Sequence, residues 1–198
     1  MEIITISGTP GCGKTSVAKV LAEKNKVKFI SLNTIAIDKN FLIRTDSKRN
    51  TQIIDEEKII DYLNNKIEKL KLKDIDYLII ESHFSDIIPA HLINFAIILR
   101  CHPDELLKRL ENRGYSEKKI YENAQAEILG NCTSYFLEKN LRVPLIEVDT
   151  THKTILETAN IIWNIILTKR VPDLNKIGRT DWLEQLYQKN RIEDFFEK

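Results

Sequence analysis

The sequence predicts an α/β fold in which a five-stranded parallel sheet is flanked by helices. Two observations carry this prediction. Short apolar runs of strand length alternate with longer segments of helical periodicity, which is the pattern of βαβ units. Within the runs, apolar residues follow one another without polar alternation, as expected for parallel strands that are buried on both faces. The 198 residues suffice for one domain with a sizeable core.

The elements follow in order along the chain. The predicted strands are the apolar runs at 2–6, 27–30, 77–80, 95–99 and 144–148. The spacing of apolar residues predicts helices over 14–24, 32–37, 55–71, 103–111, 117–137 and 151–167. Residues 38–52 are polar and mixed in charge, so we expect a loop there. Beyond Pro172 we expect a linker and a short helix from Thr180 to Phe196, which either docks on the main body or binds a partner.

The first loop carries the most specific motif. Gly8 to Thr15 reads G-x-x-x-x-G-K-T and lies between the first predicted strand and the first predicted helix. Glycines let backbone N–H groups turn inward around a triphosphate, and the N-terminus of the following helix faces the same anion. We expect Lys14 to reach the β- and γ-phosphates and the Thr15 hydroxyl to hold Mg²⁺. The sequence therefore predicts a P-loop NTPase that binds a nucleoside triphosphate and Mg²⁺.

Further candidate residues lie near the ends of predicted elements. Glu81 closes the third run, where it is either a Walker B carboxylate that orients Mg²⁺ or a surface residue at a strand end. His83 either orients or deprotonates a water molecule or is hydrogen-bonded near the strand end. Arg109 and Arg113 are four residues apart on one predicted helix face. Two guanidinium groups suit the binding of phosphoryl oxygens, although a solvent-exposed basic helix face would show the same spacing of residues.

Composition narrows the class of protein. Thirty basic and 29 acidic residues give a formal net charge of +1, which gives no sign of direct nucleic-acid binding. The three cysteines form no C-x-x-C pair, so we expect a reducing compartment and no structural zinc. Cys12 is expected to be a tolerated loop position, although a cationic Lys14 nearby would lower the pKa of its thiol. Without a leader or a run of bilayer length, a cytoplasmic protein with no membrane partner is expected.

Three segments together resemble the adenylate kinase isoenzyme 6 family, which comprises archaeal and nuclear adenylate-kinase-like ATPases linked to maturation of the small ribosomal subunit. Gly8 to Thr15 is similar to the G-T-P-G-x-G-K-T loop of nucleoside monophosphate kinases. Residues 109–120 and 123–128 resemble the R-L-x-x-R-G-Y-x-x-x-K and N-x-Q-x-E-I segments of the family. Glu81 to His83 resembles its acid-x-His Walker B stretch.

The resemblance implies a domain over 1–168, with an acceptor-side segment at about 31–72 and a short lid at about 113–117, followed by a linker and C-terminal helix over 169–198. It implies that the ATP phosphates bind at these loop residues: Gly11, Cys12, Gly13, Lys14, Thr15 and Ser16.

The remaining site roles are also implied by the resemblance. Arg109 and Arg113 would contact the phosphates, Glu81 and His83 would form the Walker B pair, and Mg²⁺ would be held by Thr15 and Glu81.

Two positions depart from the family pattern. The family often has Asp where Glu81 stands, which moves the metal contact by one methylene group. Its acceptor-side helix often carries an Arg that grips the monophosphate. That place falls near Ile37, and Arg44 is the nearest replacement.

We therefore expect an adenylate kinase that converts ATP and AMP, or a related nucleoside monophosphate, into two diphosphates. ATPase activity and a role in maturation of the small ribosomal subunit are implied by the resemblance, with a small-subunit ribosomal protein and the pre-ribosomal small subunit as partners. The alternative is an ATPase assembly factor with little kinase activity. A GTP-dependent switch is a remote alternative, because no D-x-x-G follows the loop and Asn175 to Gly178 lacks the Asp of N-K-x-D.

Overall fold

The predicted parallel sheet is present. A computed structural model describes residues 1–24, 26–46, 51–139 and 141–196. Within these ranges the strands are β1 (Glu2–Gly8), β2 (Val27–Ser31), β3 (Leu42–Asp46), β4 (Thr51–Ile54), β5 (Tyr77–Glu81), β6 (Phe95–Arg100) and β7 (Leu145–Asp149). Five of them form one sheet in the order β2-β5-β1-β6-β7, with every neighbouring pair parallel. The fold class is confirmed.

Helices cover both faces of this sheet. They are α1 (Lys14–Ala22), α2 (Leu32–Asp38), α3 (Glu56–Lys71), α4 (Pro103–Glu111), α5 (Glu117–Ile128), α6 (Asn131–Leu137), α7 (Ile155–Thr168), α8 (Trp182–Gln188) and α9 (Glu193–Phe196). Successive residues of a strand point to opposite faces, so β1 places Ile4 in a core with α1, α4 and α7 and Ile3 in a second core with α2 and α3. In the described part of the chain no helix is long and apolar enough to span a membrane.

The start of α3 shows how closely local sequence sets an element. The Asp55 side chain accepts a hydrogen bond from the N–H of Lys58 at 3.2 Å and caps the helix as predicted. Glu56 and Glu57 occupy the first turn, where their charges suit the helix dipole. The buried stripe of α3 consists of Ile59, Leu63, Ile67 and Leu70.

Three predicted elements before the C-terminal segment differ from the structure. The polar segment at 38–52, predicted as a loop, contributes an antiparallel hairpin of β3 and β4, although its residues 47–50 lie outside the described residues. The long predicted helix is divided into α5 and α6 because Gly130 adopts φ 64°, a conformation that ends a helix. The last long helix begins at Ile155 because Thr154 forms a capping box with Glu157.

The C-terminal segment docks on the main body. It consists of α8 and α9 where one helix was predicted, and Asp181 caps α8 by accepting from the N–H of Glu184 at 2.9 Å. Its buried side chains, Trp182, Leu186 and Phe195, pack on Ala124 and Ile128 of α5. A polar contact supports this packing, because Gln125 Nε2 donates to the carbonyl of Phe195 at 2.7 Å.

Candidate active site

The G-x-x-x-x-G-K-T loop connects β1 to α1 at the carboxyl edge of the sheet. Gly11 has φ 100°, and a Cβ at this position would lie 2.5 Å from Leu106 Cδ1, so only glycine lets α4 pack against the loop. Gly13 has φ 93°, and a Cβ there would point into open space. Lys14 is 8% exposed, and its Nζ donates to the Thr9 carbonyl at 3.1 Å across the loop. The ammonium group is thereby held at the mouth of the loop.

Thr15 and Glu81 are brought together by the sheet register. Glu81 ends β5, where it pairs with Ile6 of β1 and Ser31 of β2. The Thr15 hydroxyl donates to Glu81 Oε1 at 3.1 Å, and Glu81 is 3% exposed. A hydroxyl and a carboxylate with oxygens this close fit Mg²⁺, which binds one or two protein oxygens and takes its other ligands from phosphates and water. No cluster of three or more His, Cys, Asp or Glu suited to a metal ion occurs among the described residues.

His83 lies beside this pair at the mouth of the cleft. Desolvation, followed by the positive charges of Lys14 and Lys119, lowers the pKa of His83 to about 4, so the imidazole is neutral near pH 7. Its Nδ1 lies 3.5 Å from Asn33 Nδ2, a contact that is a hydrogen bond in the tautomer with the proton on Nε2. Asn33 is oriented in turn by the Ser82 hydroxyl, which donates to its Oδ1 at 2.6 Å.

The two predicted arginines occupy different environments. Arg113 is exposed and lines the cleft, beyond the end of α4 at Glu111. Arg109 is turned away from it: its Nε donates to Glu105, and its two terminal nitrogens donate to Thr150 and Thr151. The prediction that the two arginines share one helix face is wrong, because the helix ends between them. The structure brings Arg113 to the cleft and makes Arg109 a clamp between α4 and the loop after β7.

The Cys12 side chain also points away from the cleft. Cys12 is fully buried, and its Sγ donates to Glu127 Oε2 at 3.8 Å, while its backbone N–H donates to the Thr9 carbonyl at 3.2 Å. Both donors are therefore directed at the protein, which argues against a direct phosphate contact. Burial, followed by contacts with Cys101 and Glu127, raises the pKa of the thiol well above its ordinary value. The sequence argument that Lys14 would lower this pKa is outweighed by desolvation.

A cleft of about 1410 Å³ extends from the loop. On one side it is lined by loop and helix-start residues, including Gly11, Gly13, Lys14, Thr15 and Ser16. On the other side it is lined by residues of α2, the hairpin and the start of α3, including Asn33, Thr34, Ile37, Leu42, Ile53 and Glu56. Sites for one small ligand measure roughly 300–1,000 Å³, so this cleft has room for more than one. Arg44 is exposed on β3 and is not among the described residues that line it.

A buried network behind the loop was missed by sequence reasoning. Arg100, at the end of β6, is 4% exposed and donates to Glu127 at 2.8 Å and to Glu147 at 2.7 Å. Glu127 also accepts from the Thr9 hydroxyl at 2.6 Å and from the Trp182 indole at 3.1 Å. The only sequence signal was a polar stretch at 123–127 on a helix expected to flank the nucleotide.

Comparisons with known proteins identify relatives over nearly the whole chain. The family model described as an AAA domain matches residues 4–130. A protein named "Putative adenylate kinase" from Methanosarcina acetivorans is 36% identical over 191 residues, which cover 93% of this chain and 99% of that protein. A protein of the same name from Pyrococcus furiosus is 38% identical over 184 residues, which cover 91% of each.

Two solved structures show the same fold. A shikimate kinase from Bacteroides thetaiotaomicron superposes with a TM-score of 0.52 at 16% identity, covering 84% of this chain and 98% of that one. A thymidylate kinase from Candida albicans gives a TM-score of 0.53 at 17% identity, covering 85% and 92%. At these identities the likeness concerns the fold alone.

Proposed function

Since the chain belongs to the family of these archaeal proteins, within the nucleoside monophosphate kinase superfamily, we propose that it transfers the γ-phosphoryl group of ATP to AMP or a related nucleoside monophosphate. One observation carries the proposal. The cleft of about 1410 Å³ joins the glycine-rich loop to a second wall formed by α2, β3, β4 and the start of α3. Direct transfer needs two nucleotides in one water-poor site, and this cleft has the volume for both.

Positioning and charge neutralisation would supply the catalysis. The acceptor phosphate is already anionic, so transfer needs no strong base. Lys14 would bind the β- and γ-phosphates from the loop, and Arg113, which also lines the cleft, would bind phosphoryl oxygens. The N–H groups of the first turn of α1, at Lys14, Thr15 and Ser16, have no partner within the helix and suit the same anion.

The residues at the loop fit a magnesium ion. The Thr15 hydroxyl and Glu81 carboxylate, 3.1 Å apart, would hold it. Bound there, Mg²⁺ would neutralise charge on the transferred phosphoryl group. Glu81 takes the place where the resembling family often has Asp, and the Thr15–Glu81 distance shows that the longer side chain still reaches the hydroxyl.

ATP hydrolysis is the second activity we propose for the same site. His83 lies on the segment after Glu81 and lines the cleft, and its lowered pKa keeps the imidazole neutral near pH 7. A neutral imidazole near the phosphates suits the orientation of a water molecule. The described cleft residues on the acceptor side include no arginine. Affinity for a monophosphate should therefore be lower, which favours hydrolysis as an activity of this site. If His83→Ala left ATP hydrolysis unchanged, this assignment would fail.

Membership in the isoenzyme 6 branch and a role in ribosome maturation are finer proposals. They are supported by the motifs at 81–83, 109–120 and 123–128, and they imply a small-subunit ribosomal protein as partner in a cytoplasmic protein. Incubation with purified small ribosomal subunits, followed by sedimentation, would test them. Nucleotide-dependent co-sedimentation is expected, and its absence with both ATP and ADP would count against the ribosomal role.

The kinase proposal is tested with γ-labelled ATP and Mg²⁺. The protein is incubated alone and with each of AMP, CMP, UMP and GMP, and labelled diphosphate is separated from free phosphate. We expect rapid labelled diphosphate with AMP, and loss of turnover in Lys14→Ala. Slow release of free phosphate, indifferent to every monophosphate, would contradict transfer and make hydrolysis the primary activity. Full turnover in Lys14→Ala would contradict both.

A further inference from the structure

We propose that Trp182, on the C-terminal helix α8, is a positioning residue for the phosphate-binding loop, and that it acts through the buried carboxylate of Glu127. This inference rests on the proposed function only for the identity of the ligand, a polyphosphate. It assigns to the segment after residue 168 a part in the site, beyond packing on the main body.

A chain of three hydrogen bonds joins the tail to the phosphate-binding lysine. The Trp182 indole Nε1–H donates to Glu127 Oε1 at 3.1 Å. The other oxygen of the same carboxylate, Oε2, accepts from the Thr9 hydroxyl at 2.6 Å. The Thr9 carbonyl accepts from Lys14 Nζ at 3.1 Å. Thr9 is therefore held by Glu127 through its side chain and holds Lys14 through its backbone.

The donors on Oε1 fix the plane of the carboxylate. Arg100 Nε donates to this oxygen at 2.8 Å, the Cys101 N–H at 3.1 Å and the Trp182 indole at 3.1 Å. The first two come from the end of β6, and the indole comes from the tail. With all three in place, Oε2 is directed at Thr9; without the indole, Oε1 is held from the β6 side alone. A charge-assisted bond in a buried setting constrains such a group strongly.

The tail contributes further contacts to the same network, so the indole is itself held in place. The Thr180 carbonyl accepts from Arg100 Nη1 at 3.2 Å, and the Gly178 N–H donates to Glu147 at 3.1 Å. Trp182 is 5% exposed, and its ring packs edge-on against His102, at the start of α4, with ring centroids 5.1 Å apart. Its position is thus defined from the strand side and from α4.

The chain offers a matched control, because it contains two tryptophans. Trp163 lies on α7, where it packs edge-on against Tyr77 at 5.3 Å and under the Lys24 ammonium. Trp182→Phe removes the indole N–H and keeps an aromatic ring in the cluster with Ala124 and Ile128. Trp163→Phe makes the same chemical change away from the loop.

The test measures the affinity of inorganic tripolyphosphate and of ATP by calorimetry, which requires no turnover. We expect Trp182→Phe to weaken tripolyphosphate binding by about 3- to 10-fold, because Glu127 loses a buried hydrogen bond and only part of that loss reaches the loop. Trp163→Phe should stay within about twofold of wild type. Equal affinity of the two variants would overturn the proposal.

A double-mutant cycle with Thr9→Val distinguishes positioning of the loop by Trp182 from a general destabilisation of the fold. If Trp182 acts through Glu127 and Thr9, the double variant should bind tripolyphosphate with the same affinity as Thr9→Val. The reason is that Thr9→Val already removes the hydrogen bond between Thr9 and Glu127. If the fold-changes in Kd of the two single variants multiply in the double variant, the proposal is overturned. Should Trp182→Phe melt well below Trp163→Phe, the emission of Trp182 in the Trp163→Phe protein decides instead.

Fluorescence supplies a readout that a merely structural role would not move. In Trp163→Phe the remaining indole is Trp182, and its emission should change when tripolyphosphate binds. In Trp182→Phe the remaining Trp163 should not respond. If AMP-dependent transfer is absent in wild type while this pattern of affinity and emission holds, the proposed function falls and the positioning role stands. If the emission of Trp182 does not change when tripolyphosphate binds, the positioning role is overturned, whether or not the protein catalyses transfer.

Discussion

Removal of the buried guanidinium of Arg100 is the perturbation with the clearest expected magnitude. In Arg100→Met the side chain keeps much of its length but loses three contacts with two glutamates: Nε to Glu127 Oε1, Nη2 to the Glu127 carbonyl and Nη1 to Glu147 Oε1, all between 2.7 and 2.9 Å. Both carboxylates are at most 2% exposed. Breaking a buried ion pair from one side costs about 3–5 kcal/mol, and here two carboxylates lose the same partner.

The remaining donors set the upper limit of the effect. Glu127 keeps the Thr9 hydroxyl and the Trp182 indole, and Glu147 keeps the Thr133 hydroxyl at 2.9 Å. We therefore expect a loss of about 3–5 kcal/mol at pH 8 rather than the sum of two broken pairs.

Urea unfolding at pH 8 measures this prediction. The control is Arg142→Met, since Arg142 is exposed and its replacement should change the free energy of unfolding by less than about 0.5 kcal/mol. A deficit below about 1 kcal/mol for Arg100→Met at pH 8 would refute the reasoning.

Three further predictions concern the site and the tail. The pKa of His83 is lowered to about 4, so it stays neutral above pH 5.5. The pH profile of kcat/KM for ATP hydrolysis, which reports groups of the free enzyme, should therefore be parallel in wild type and His83→Gln from pH 5.5 to 8; a step near pH 6.5 that the variant lacks would contradict this. Glu81→Gln should raise the Mg²⁺ concentration for half-maximal turnover by about tenfold or more, because one of the paired oxygens near Thr15 loses its charge, and an unchanged Mg²⁺ titration would exclude Glu81 from the metal site. Phe195 is 1% exposed and Phe196 37%, so chemical unfolding should show a loss of about 3–5 kcal/mol for Phe195→Ala and under about 1 kcal/mol for Phe196→Ala, whereas equal losses would mean that the tail is not docked through Phe195.

The sheet and most helices could be predicted because their signals are local. The buried strands are continuous apolar runs, and the cap at Asp55 and the stripe of α3 follow from spacing within one helix. The hairpin of β3 and β4 could not be recognised in this way. Its strands are short, each contains only two apolar residues beside polar ones, and they pair with each other rather than with the main sheet. The division at Gly130 had a sequence signal, a lone glycine inside a helical pattern, that the long apolar periodicity outweighed.

The site was predictable only where one segment builds it. The loop from Gly8 to Thr15 is fixed by spacing, and Glu81 follows from its place at the end of a strand. The Glu127 network is different, because Thr9 and Trp182 reach Glu127 across 118 and 55 positions of sequence. No periodicity reports contacts of that kind. The separation of the two arginines is a local effect, since α4 ends at Glu111 and helical phase does not extend to Arg113.

Binding of a bisubstrate compound, two adenosines joined by five phosphates, tests most directly whether the cleft is built for transfer between two nucleotides. Calorimetry would compare its affinity with that of ATP, in wild type and in Lys14→Ala. A cleft of about 1410 Å³ that holds both nucleotides predicts one compound per chain and a Kd at least tenfold lower than for ATP, lost in the variant. Affinity no greater than for ATP would show that the second wall does not receive a nucleotide, and would contradict the kinase proposal.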